Sequence, residues 1–326
     1  MGDTLQFPKT VLLAGATGTI GRAVAHELVK QGFQTVCLVR AGADISALPA
    51  SAVIRQVDPT ISESAVAREI KGLGVDAVIS CMASRTGVPD DAWAVDHAAN
   101  LAILNASVTA GAKRFIYLSA ICVQKPELEF QHAKLAFEAE LMARDLAWTI
   151  IRPTAFFKSL SGQVARVQEG KAFLVFGSGR DTACKPISDS DLARFIVNKL
   201  KEPESRGAIY PIGGPGPAIA PADQADYLFA KSGQPVRVKK VPFLLMDLIV
   251  GCLAFGSWFF PQLRAKSEFA RIGRYYARES MLVWDAETKR YDAEATPSYG
   301  SDTLFEYYDR LITGEEDAER GEHAIF

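Results

Sequence analysis

The chain has 326 residues, which is enough for one large domain or two smaller ones around a sizeable apolar core. Its composition, 48% hydrophobic and 23% charged, is ordinary for a globular protein. The net charge of -2 lacks the basic excess that is typical of nucleic-acid-binding proteins, so a nucleic-acid partner is not expected.

The cysteines are scattered along the chain and show no paired spacing of the kind that binds a metal. We therefore expect no protein metal site and reduced thiols in the cytoplasm. The five positions are Cys37, Cys81, Cys122, Cys184 and Cys252. A first strand that starts near Thr10 leaves no room for a signal peptide, which also favours a cytoplasmic chain.

The first predicted element spans residues 11–21. An apolar run enters Gly15, glycines recur at Gly18 and Gly21, and a helix-like apolar spacing follows. A buried strand, a tight turn and a helix N-terminus in this order are typical of a dinucleotide site, because glycines let the backbone turn and approach a pyrophosphate. The residues expected to bind the cofactor here are Gly15, Thr17, Gly18, Thr19, Ile20, Gly21 and Arg22.

Further apolar runs alternate with helical patterns and predict a doubly wound parallel sheet. These strands are predicted at 35–39, 53–57, 77–81, 115–118 and 148–151. Ligands of such sheets bind beyond the carboxyl ends of the strands, so residues at these ends are expected to face one crevice. The additional cofactor-binding candidates are Arg40, Asp58, Cys81, Ala83, Ser84, Ser119 and Pro153, with Arg152 pointing to the same crevice.

Arg40 indicates which cofactor binds. An acidic residue about twenty positions beyond the glycine turn would bind the ribose hydroxyls of NAD. An arginine suits the additional 2′-phosphate of NADP, through a bidentate charge-assisted contact that Arg22 could join. The alternative is a solvated charge at a strand end, but the position favours NADPH.

The glycine motif resembles that of the extended and atypical short-chain dehydrogenases. Those enzymes usually carry a Tyr-x-x-x-Lys pair on the helix after the fifth strand, and the matching positions here are Phe130 and Lys134. The residue after Ser119, where a catalytic serine is expected, is Ala120. Because phenylalanine cannot donate a proton, the resemblance implies a carbon–carbon double-bond reductase or a non-catalytic NADP sensor rather than an alcohol dehydrogenase.

A second group of motifs resembles the NADPH-dependent divinyl chlorophyllide 8-vinyl reductases. The similar stretches are 81–85, 119–126, 129–135, 152–160, 184–188, 212–216, 272–276 and 296–300. The resemblance implies reduction of the 8-vinyl group of divinyl chlorophyllide, or of divinyl protochlorophyllide, to ethyl in chlorophyll or bacteriochlorophyll biosynthesis. An isoflavone-reductase-like enzyme for another conjugated substrate and a non-catalytic NADP-sensing regulator remain alternatives.

The same resemblance implies roles for individual residues. Lys134 would bind the nicotinamide ribose and fix the direction of the hydride, and Phe130 would stack on the macrocycle or the nicotinamide. The substrate is a flat apolar macrocycle with its own magnesium and one propionate, so its site needs aromatic walls and a few cations. The expected substrate-binding residues are Phe156, Phe157, Lys158, Lys185, Arg274 and Tyr275.

Residues 243–260 form an apolar segment whose only charge is Asp247. Its length approaches that of a membrane span. Three interpretations compete: a buried helix that covers the macrocycle, a helix that touches the membrane surface, and a true span. Asp247 and the flanking Pro242 and Pro261 weigh against the span, so a substrate cover or a peripheral contact with the photosynthetic membrane is favoured.

These patterns together predict an α/β protein with a doubly wound parallel Rossmann sheet and a smaller C-terminal substrate region. The NADP-binding domain is placed at 1–152, the substrate region at 153–314 and an acidic tail at 315–326. Part of the substrate region, with a capped helix start at 187–193, is expected to pack back on the sheet.

Overall fold

The computed structural model describes residues 8–58, 60, 62–260 and 262–316. The elements of its first half are β1 (Thr10–Ala14), α1 (Thr19–Lys30), β2 (Gln34–Val39), β3 (Val53–Gln56), α2 (Glu63–Ile70), β4 (Ala77–Ser80), α3 (Pro89–Ala92), a π-helix (Trp93–Ala99), α4 (Asn100–Thr109), β5 (Arg114–Leu118), a 3-10 helix (Ile121–Gln124), α5 (Glu129–Met142) and β6 (Ala147–Pro153).

The second half adds shorter strands and several helices. These elements are α6 (Phe157–Leu160), α7 (Val164–Gln168), β7 (Phe173–Phe176), α8 (Asp189–Asn198), a 3-10 helix (Pro203–Ser205), β8 (Ala208–Ile212), α9 (Pro221–Ser232), β9 (Val238–Val241), α10 (Phe243–Phe259), α11 (Leu263–Arg278), β10 (Val283–Asp285), β11 (Arg290–Asp292) and α12 (Leu304–Thr313).

Seven parallel strands form the central sheet in the order β3-β2-β1-β4-β5-β6-β8. The order reverses direction at β1, which places the crevice for a ligand between the carboxyl ends of β1 and β4. The predicted Rossmann-like α/β class is thereby confirmed, and the six strands predicted from the sequence are all present. The seventh strand, β8, was not predicted and comes from the region after residue 153.

Both faces of the sheet are covered by helices, which explains why its strands are apolar throughout. Neighbouring residues of β1 point to opposite faces, so Leu13 packs toward α1 and α8 while Leu12 packs toward Phe115 and Phe137. Helix α8 begins after Ser188, whose side chain accepts a hydrogen bond from the Asp191 N–H at 3.1 Å. The predicted capped helix start is therefore confirmed, and α8 packs on α1.

Residues after β6 form two further apolar clusters. One joins α7, α9 and α12 to β7. The other lies between the 3-10 helix at Ile121–Gln124, the start of α5 and helix α11, and it includes Cys122, Ile272 and Tyr275. Helix α11 therefore lies beside the start of α5, the helix that carries Phe130 and Lys134.

Helix α10 contradicts one interpretation of the apolar segment, because none of its residues is buried. It packs on α11 and leaves much of its remaining surface exposed, so it is not a buried cover. No helix in the described part of the chain combines the length and apolar character that crossing a membrane requires.

The expected acidic tail is described only at its start. Glu316 accepts a hydrogen bond from Arg310 Nε at 3.0 Å, beyond the end of α12. Residues 317–326 lie outside the described residues.

Candidate functional site

The turn between β1 and α1 is built around backbone contacts that require glycine. Gly15 has φ +74°, and a Cβ at this position would lie 2.7 Å from the carbonyl carbon of Cys81, at the end of β4. A Cβ at Gly21 would overlap the carbonyl oxygen of Gly15. These two glycines therefore hold the turn against the neighbouring strand and against the first turn of α1.

Gly18 differs from the other two glycines of this turn. A Cβ there would meet only the Gly15 carbonyl oxygen, at 3.4 Å, so the fold leaves space at this position. Gly18 is the N-cap of α1, no side chain caps this end of the helix, and the first turn carries no acidic residue. Gly18 and Thr19 are exposed. The first N–H groups of α1 and the positive end of its dipole thus form a ready site for a pyrophosphate.

A cavity of about 820 Å³ opens beside this turn, at the carboxyl ends of β2 and β3. Its charged lining consists of Arg22, Arg40, Arg68, Arg85, Asp44, Asp58 and Glu69. The Nε atom of Arg22 is buried and has no hydrogen-bond partner among the described residues. A buried donor without an acceptor is costly, and arginine side chains at a cavity are suited to bind a phosphate group.

Asp58 lines this cavity, but its carboxylate also stabilises its own loop. It accepts hydrogen bonds from the N–H of Thr60 at 2.9 Å and from its hydroxyl at 2.6 Å. Arg40 is exposed at the mouth of the cavity. The structure therefore brings Thr17 and Arg22, from the glycine turn and α1, to the same cavity as the strand-end residues Arg40 and Asp58.

Lys134 and Asp96 form a buried ion pair next to the crevice. The Lys134 Nζ atom lies 2.8 Å from Asp96 Oδ1, and the two side chains are 6% and 1% exposed. The other carboxylate oxygen of Asp96 accepts the backbone N–H of Ser84 at 3.3 Å. Burial by itself lowers the pKa of Lys134, but the charge of Asp96 and its hydrogen bond outweigh this effect and raise it. The lysine is therefore a fixed cation.

Asp96 is held in this position by a π-helix, Trp93–Ala99, between α3 and α4. The Asn100 side chain donates to the carbonyls of Val95 at 3.0 Å and Asp96 at 3.1 Å, and accepts the Ser80 hydroxyl at 2.5 Å. These bonds satisfy backbone groups that the wider helical turn leaves free, and they tie the π-helix to the end of β4. Sequence reasoning missed Asp96 and Asn100, although acidic and amide groups in an otherwise apolar helical pattern were a usable signal.

Ser119 belongs to a second buried polar group. Its hydroxyl donates to Glu138 Oε1 at 2.5 Å, and Arg152 donates to the same carboxylate from Nε at 3.2 Å and from a terminal nitrogen. The neighbouring Tyr117 hydroxyl is buried without a hydrogen-bond partner among the described residues, and burial raises its pKa. The Lys134 ammonium lies 5.6 Å from the centre of the Tyr117 ring.

The other predicted cofactor residues lie along the same end of the sheet. Cys81 and Ala83 follow β4, and burial raises the pKa of the Cys81 thiol to about 12, so the thiol stays neutral. Pro153 is buried at the end of β6.

Phe130 lies one helical turn before Lys134 and is half-buried. Its ring belongs to the cluster that includes Ile272 of α11. A Cβ at Gly87 would lie 3.7 Å from this ring and 2.8 Å from Ile272 Cδ1, so Phe130 is enclosed by the loop after β4 and by α11.

The predicted substrate-binding residues differ in burial and in the groups that they contact. Phe156 and Lys158 are half-buried after the end of β6. Phe157 is buried and packs against Tyr307, with ring centres 5.6 Å apart. Lys185 is also buried, and its ammonium donates to the Thr296 carbonyl at 3.0 Å.

Arg274 and Tyr275, on α11, are engaged with protein groups. Arg274 donates to Asp247 of α10 at 2.6 Å. The Tyr275 ring is buried, and its hydroxyl lies within hydrogen-bond distance of the carbonyls of Cys122, at 2.9 Å, and Lys125, at 3.0 Å. Sequence motifs alone could not reveal these partners, because each is distant along the chain.

Comparisons with known proteins show the same kind of fold and a nucleotide-binding family. A family described as NAD(P)H-binding matches residues 15–203. The NADPH-dependent quinone oxidoreductase of Escherichia coli, complexed with NADPH, shares the fold with a TM-score of 0.67 and 19% identity, over 93% of this chain and 99% of that one.

Two plant proteins are similar along nearly the whole chain. The divinyl chlorophyllide a 8-vinyl-reductase of Cucumis sativus is 44% identical over 97% of this chain and 79% of its own length. The protein of the same name from Arabidopsis thaliana is 45% identical over 93% of this chain and 76% of its own length. Identity at this level over this length establishes that the chain belongs to the divinyl chlorophyllide a 8-vinyl-reductase family.

Proposed function

We propose that the chain reduces the 8-vinyl group of divinyl chlorophyllide, or of its protochlorophyllide precursor, to ethyl with NADPH. The observation that carries this proposal is that α5 of this family member contains the lysine of the usual Tyr-x-x-x-Lys pair but has phenylalanine in place of the tyrosine. The helix holds Lys134 as a fixed cation, while Phe130 occupies the position of the usual proton donor. Such a site retains the group that orients a nicotinamide nucleotide and lacks the acid that carbonyl reduction needs.

The choice of NADPH over NADH is supported by the arginine-lined cavity. Arg22 on α1 and Arg40 after β2 line the same cavity, and the buried Nε of Arg22 has no protein acceptor among the described residues. A 2′-phosphate would accept hydrogen bonds from both guanidinium groups. NADH offers only a hydroxyl at this position, so it would leave the Arg22 donor poorly satisfied.

The proposed reaction uses the residues as follows. NADPH, when bound, supplies the hydride. Lys134 binds the ribose hydroxyls of the nicotinamide nucleotide, and Asp96 fixes both the position and the charge of the lysine. The lysine also favours negative charge that develops on the nearby substrate.

The missing tyrosine is compatible with this chemistry. Hydride addition to the terminal vinyl carbon leaves negative charge on the adjoining carbon, from which it spreads into the conjugated macrocycle. A proton from a group of modest acidity or from water then completes the ethyl group. Phe130 needs to supply only a flat apolar surface for the macrocycle or the nicotinamide.

We also propose a peripheral contact with the photosynthetic membrane through residues 243–260. The supporting observation is that α10 exposes large apolar side chains and has no buried residue. An apolar helix that lies on a bilayer surface removes such groups from water without spanning the membrane.

An absorbance assay tests the proposed reaction. Purified protein with NADPH and divinyl chlorophyllide should give the blue shift expected when a vinyl group leaves conjugation, with matching NADPH oxidation. The same assay with divinyl protochlorophyllide identifies the preferred macrocycle. NADPH binding without a spectral shift of either substrate would contradict the proposed enzymatic activity and favour an NADP sensor.

The variant Phe130→Tyr provides an internal control. It restores a hydroxyl at the usual position of the proton donor, yet it should create no alcohol dehydrogenase activity and should change vinyl reduction only modestly. A large gain in carbonyl reduction would show that the site is built for the other chemistry.

A further inference from the structure

We propose that β9, α10 and α11 form a cationic apolar surface that docks on an anionic lipid bilayer. This inference rests on the proposed peripheral contact and names its partner. The surface is formed by exposed residues of the segment 236–278, in which cations both precede and follow the apolar helix α10 along the chain.

The apolar part of this surface consists of large side chains on α10 that are mostly exposed. Trp258 is 86% exposed, Leu244 is 78% exposed and Phe255 is 68% exposed. The other large exposed apolar side chains of α10 and its C-cap are Leu245, Leu248, Ile249, Phe259 and Phe260. A helix of 17 residues is about 25 Å long, so these side chains form one continuous apolar ridge.

The charge of the same segment distinguishes a lipid surface from other partners. Residues 236–278 contain eight arginine and lysine residues and two carboxylates, a net charge of +6, whereas the whole chain carries -2. The cations are Arg237, Lys239, Lys240, Arg264, Lys266, Arg271, Arg274 and Arg278. Cations that flank an apolar helix are the pattern that anionic headgroups attract, because the helix enters the interface while the basic groups remain at headgroup level.

The two carboxylates of the segment do not oppose such a docking. Asp247 accepts from Arg274 and from Arg278, both at 2.6 Å, and these bonds hold α10 against α11. The Glu268 side chain is buried and pairs with Arg271 at 3.1 Å. Five exposed cations of the segment take no part in these pairings and face solvent, where lipid headgroups could bind: Arg237, Lys239, Lys240, Arg264 and Lys266.

The docked surface would also lie close to the reaction site. Helix α11 carries Ile272, which packs in the same cluster as Phe130. A chain anchored through α10 would therefore hold Phe130 and Lys134 near the bilayer, where an apolar macrocycle concentrates. In this arrangement the cationic apolar surface assists the supply of substrate and takes no part in hydride transfer.

Vesicle flotation tests the inference with the full chain. Phosphatidylcholine vesicles are compared with vesicles that also contain phosphatidylglycerol, at low and high salt. We expect the protein to float with the anionic vesicles at low salt and to be released by salt. The double variant Lys239→Glu/Lys240→Glu should lose on the order of 25-fold or more in partitioning, since each cation contributes roughly fivefold.

Two further double variants control for chemistry and position. Trp258→Ser/Phe259→Ser should abolish flotation, whereas Val108→Ser/Met142→Ser, which changes exposed apolar residues on other helices, should not. Lys71→Glu/Lys113→Glu makes the same charge change outside the segment and should also leave flotation intact.

Equal flotation with both vesicle types would overturn the assignment of anionic lipid. Failure to float, together with concentration-dependent self-association that Trp258→Ser/Phe259→Ser abolishes, would replace the bilayer by a second copy of the chain. Vinyl reduction in a vesicle-free assay is measured in parallel, so that loss of the proposed enzymatic function is recognised separately.

Discussion

Lys134 and Asp96 lie on different helices, 2.8 Å apart, and the protein encloses both charges. Neither charge is tolerable alone in this setting, because a buried ion that loses its partner keeps its full desolvation cost. The pair thus links a residue of the proposed reaction to the stability of the fold, and its two contributions can be separated by mutation.

The variant Lys134→Met should reduce turnover severely and should also lower the free energy of unfolding by about 3–5 kcal/mol, because Asp96 remains as an uncompensated buried charge. Adding Asp96→Asn removes that charge and should restore most of the stability, but not the turnover. Urea unfolding and single-turnover kinetics measure the two effects. Near-normal turnover and NADPH affinity in Lys134→Met would remove the lysine from the site.

Arg40→Ala should weaken NADPH binding by roughly ten- to a hundredfold and leave NADH binding almost unchanged. The reason is the loss of a charged hydrogen bond to the 2′-phosphate, which contributes about 1.5–3 kcal/mol. Fluorescence titration with both cofactors measures the difference, and Arg290→Ala on β11 serves as an exposed control. Equal losses for the two cofactors would contradict the assignment of Arg40.

The glycines of the first turn should respond differently to the same added methyl group. Gly18→Ala should unfold at the wild-type temperature yet bind NADPH weakly, because its Cβ has space in the protein but lies at the open helix N-terminus. Gly15→Ala should be strongly destabilised, because its φ is +74° and its Cβ would press on the backbone at Cys81. Thermal melts with and without NADPH separate the two. A stable Gly15→Ala variant, or full NADPH affinity in Gly18→Ala, would contradict this division.

Asp189 should make stability depend on pH. Burial raises the pKa of this carboxyl to about 6, although Lys158 acts in the opposite direction, and the Oδ1 atom has no hydrogen-bond partner among the described residues. An unfolded aspartate has a pKa of about 3.9, so the folded chain holds this proton more tightly. The resulting stabilisation is fully present below about pH 4 and is lost as the pH rises through about 6.

The variant Asp189→Asn cannot lose a proton and should therefore gain on the order of 1–3 kcal/mol relative to wild type at pH 7.5, but little at pH 4. Urea unfolding at the two pH values measures this difference. Asp145→Asn, at an exposed position, provides the control. A constant difference between Asp189→Asn and wild type across this range would show that the carboxyl does not titrate there.

The sequence predicts the sheet well because its strands are buried on both faces and read as continuous apolar runs. Strand β8 was not predicted, because it lacks such a continuous apolar run. It is paired on one side only, it contains Pro211, and its residues range from buried to exposed. The apolar pattern of α10 correctly indicated a helix. It could not show whether other elements cover this helix, because the local sequence contains no information about which elements pack on it.

The candidate site likewise contains residues that could be predicted from the sequence and residues that could not. The glycine turn, Arg40 and Lys134 follow from motifs whose spacing is local. Asp96 is 38 residues from Lys134, and only the π-helix brings them together. Long-range partners such as Thr296 for Lys185 and Asp247 for Arg274 likewise have no local signal.

The pairing of β6 with β8 has a consequence for any attempt to isolate the nucleotide-binding half. A fragment that ends at residue 152 would lack β8 and would expose the unpaired N–H and C=O groups of the apolar strand β6. Such a strand is a template for intermolecular pairing, so the fragment would tend to aggregate rather than to fold as a small cofactor-binding unit. During synthesis, the sheet reaches its final width only after residue 212 has emerged, so β6 gains its second neighbour long after the strands that carry the glycine turn have been made.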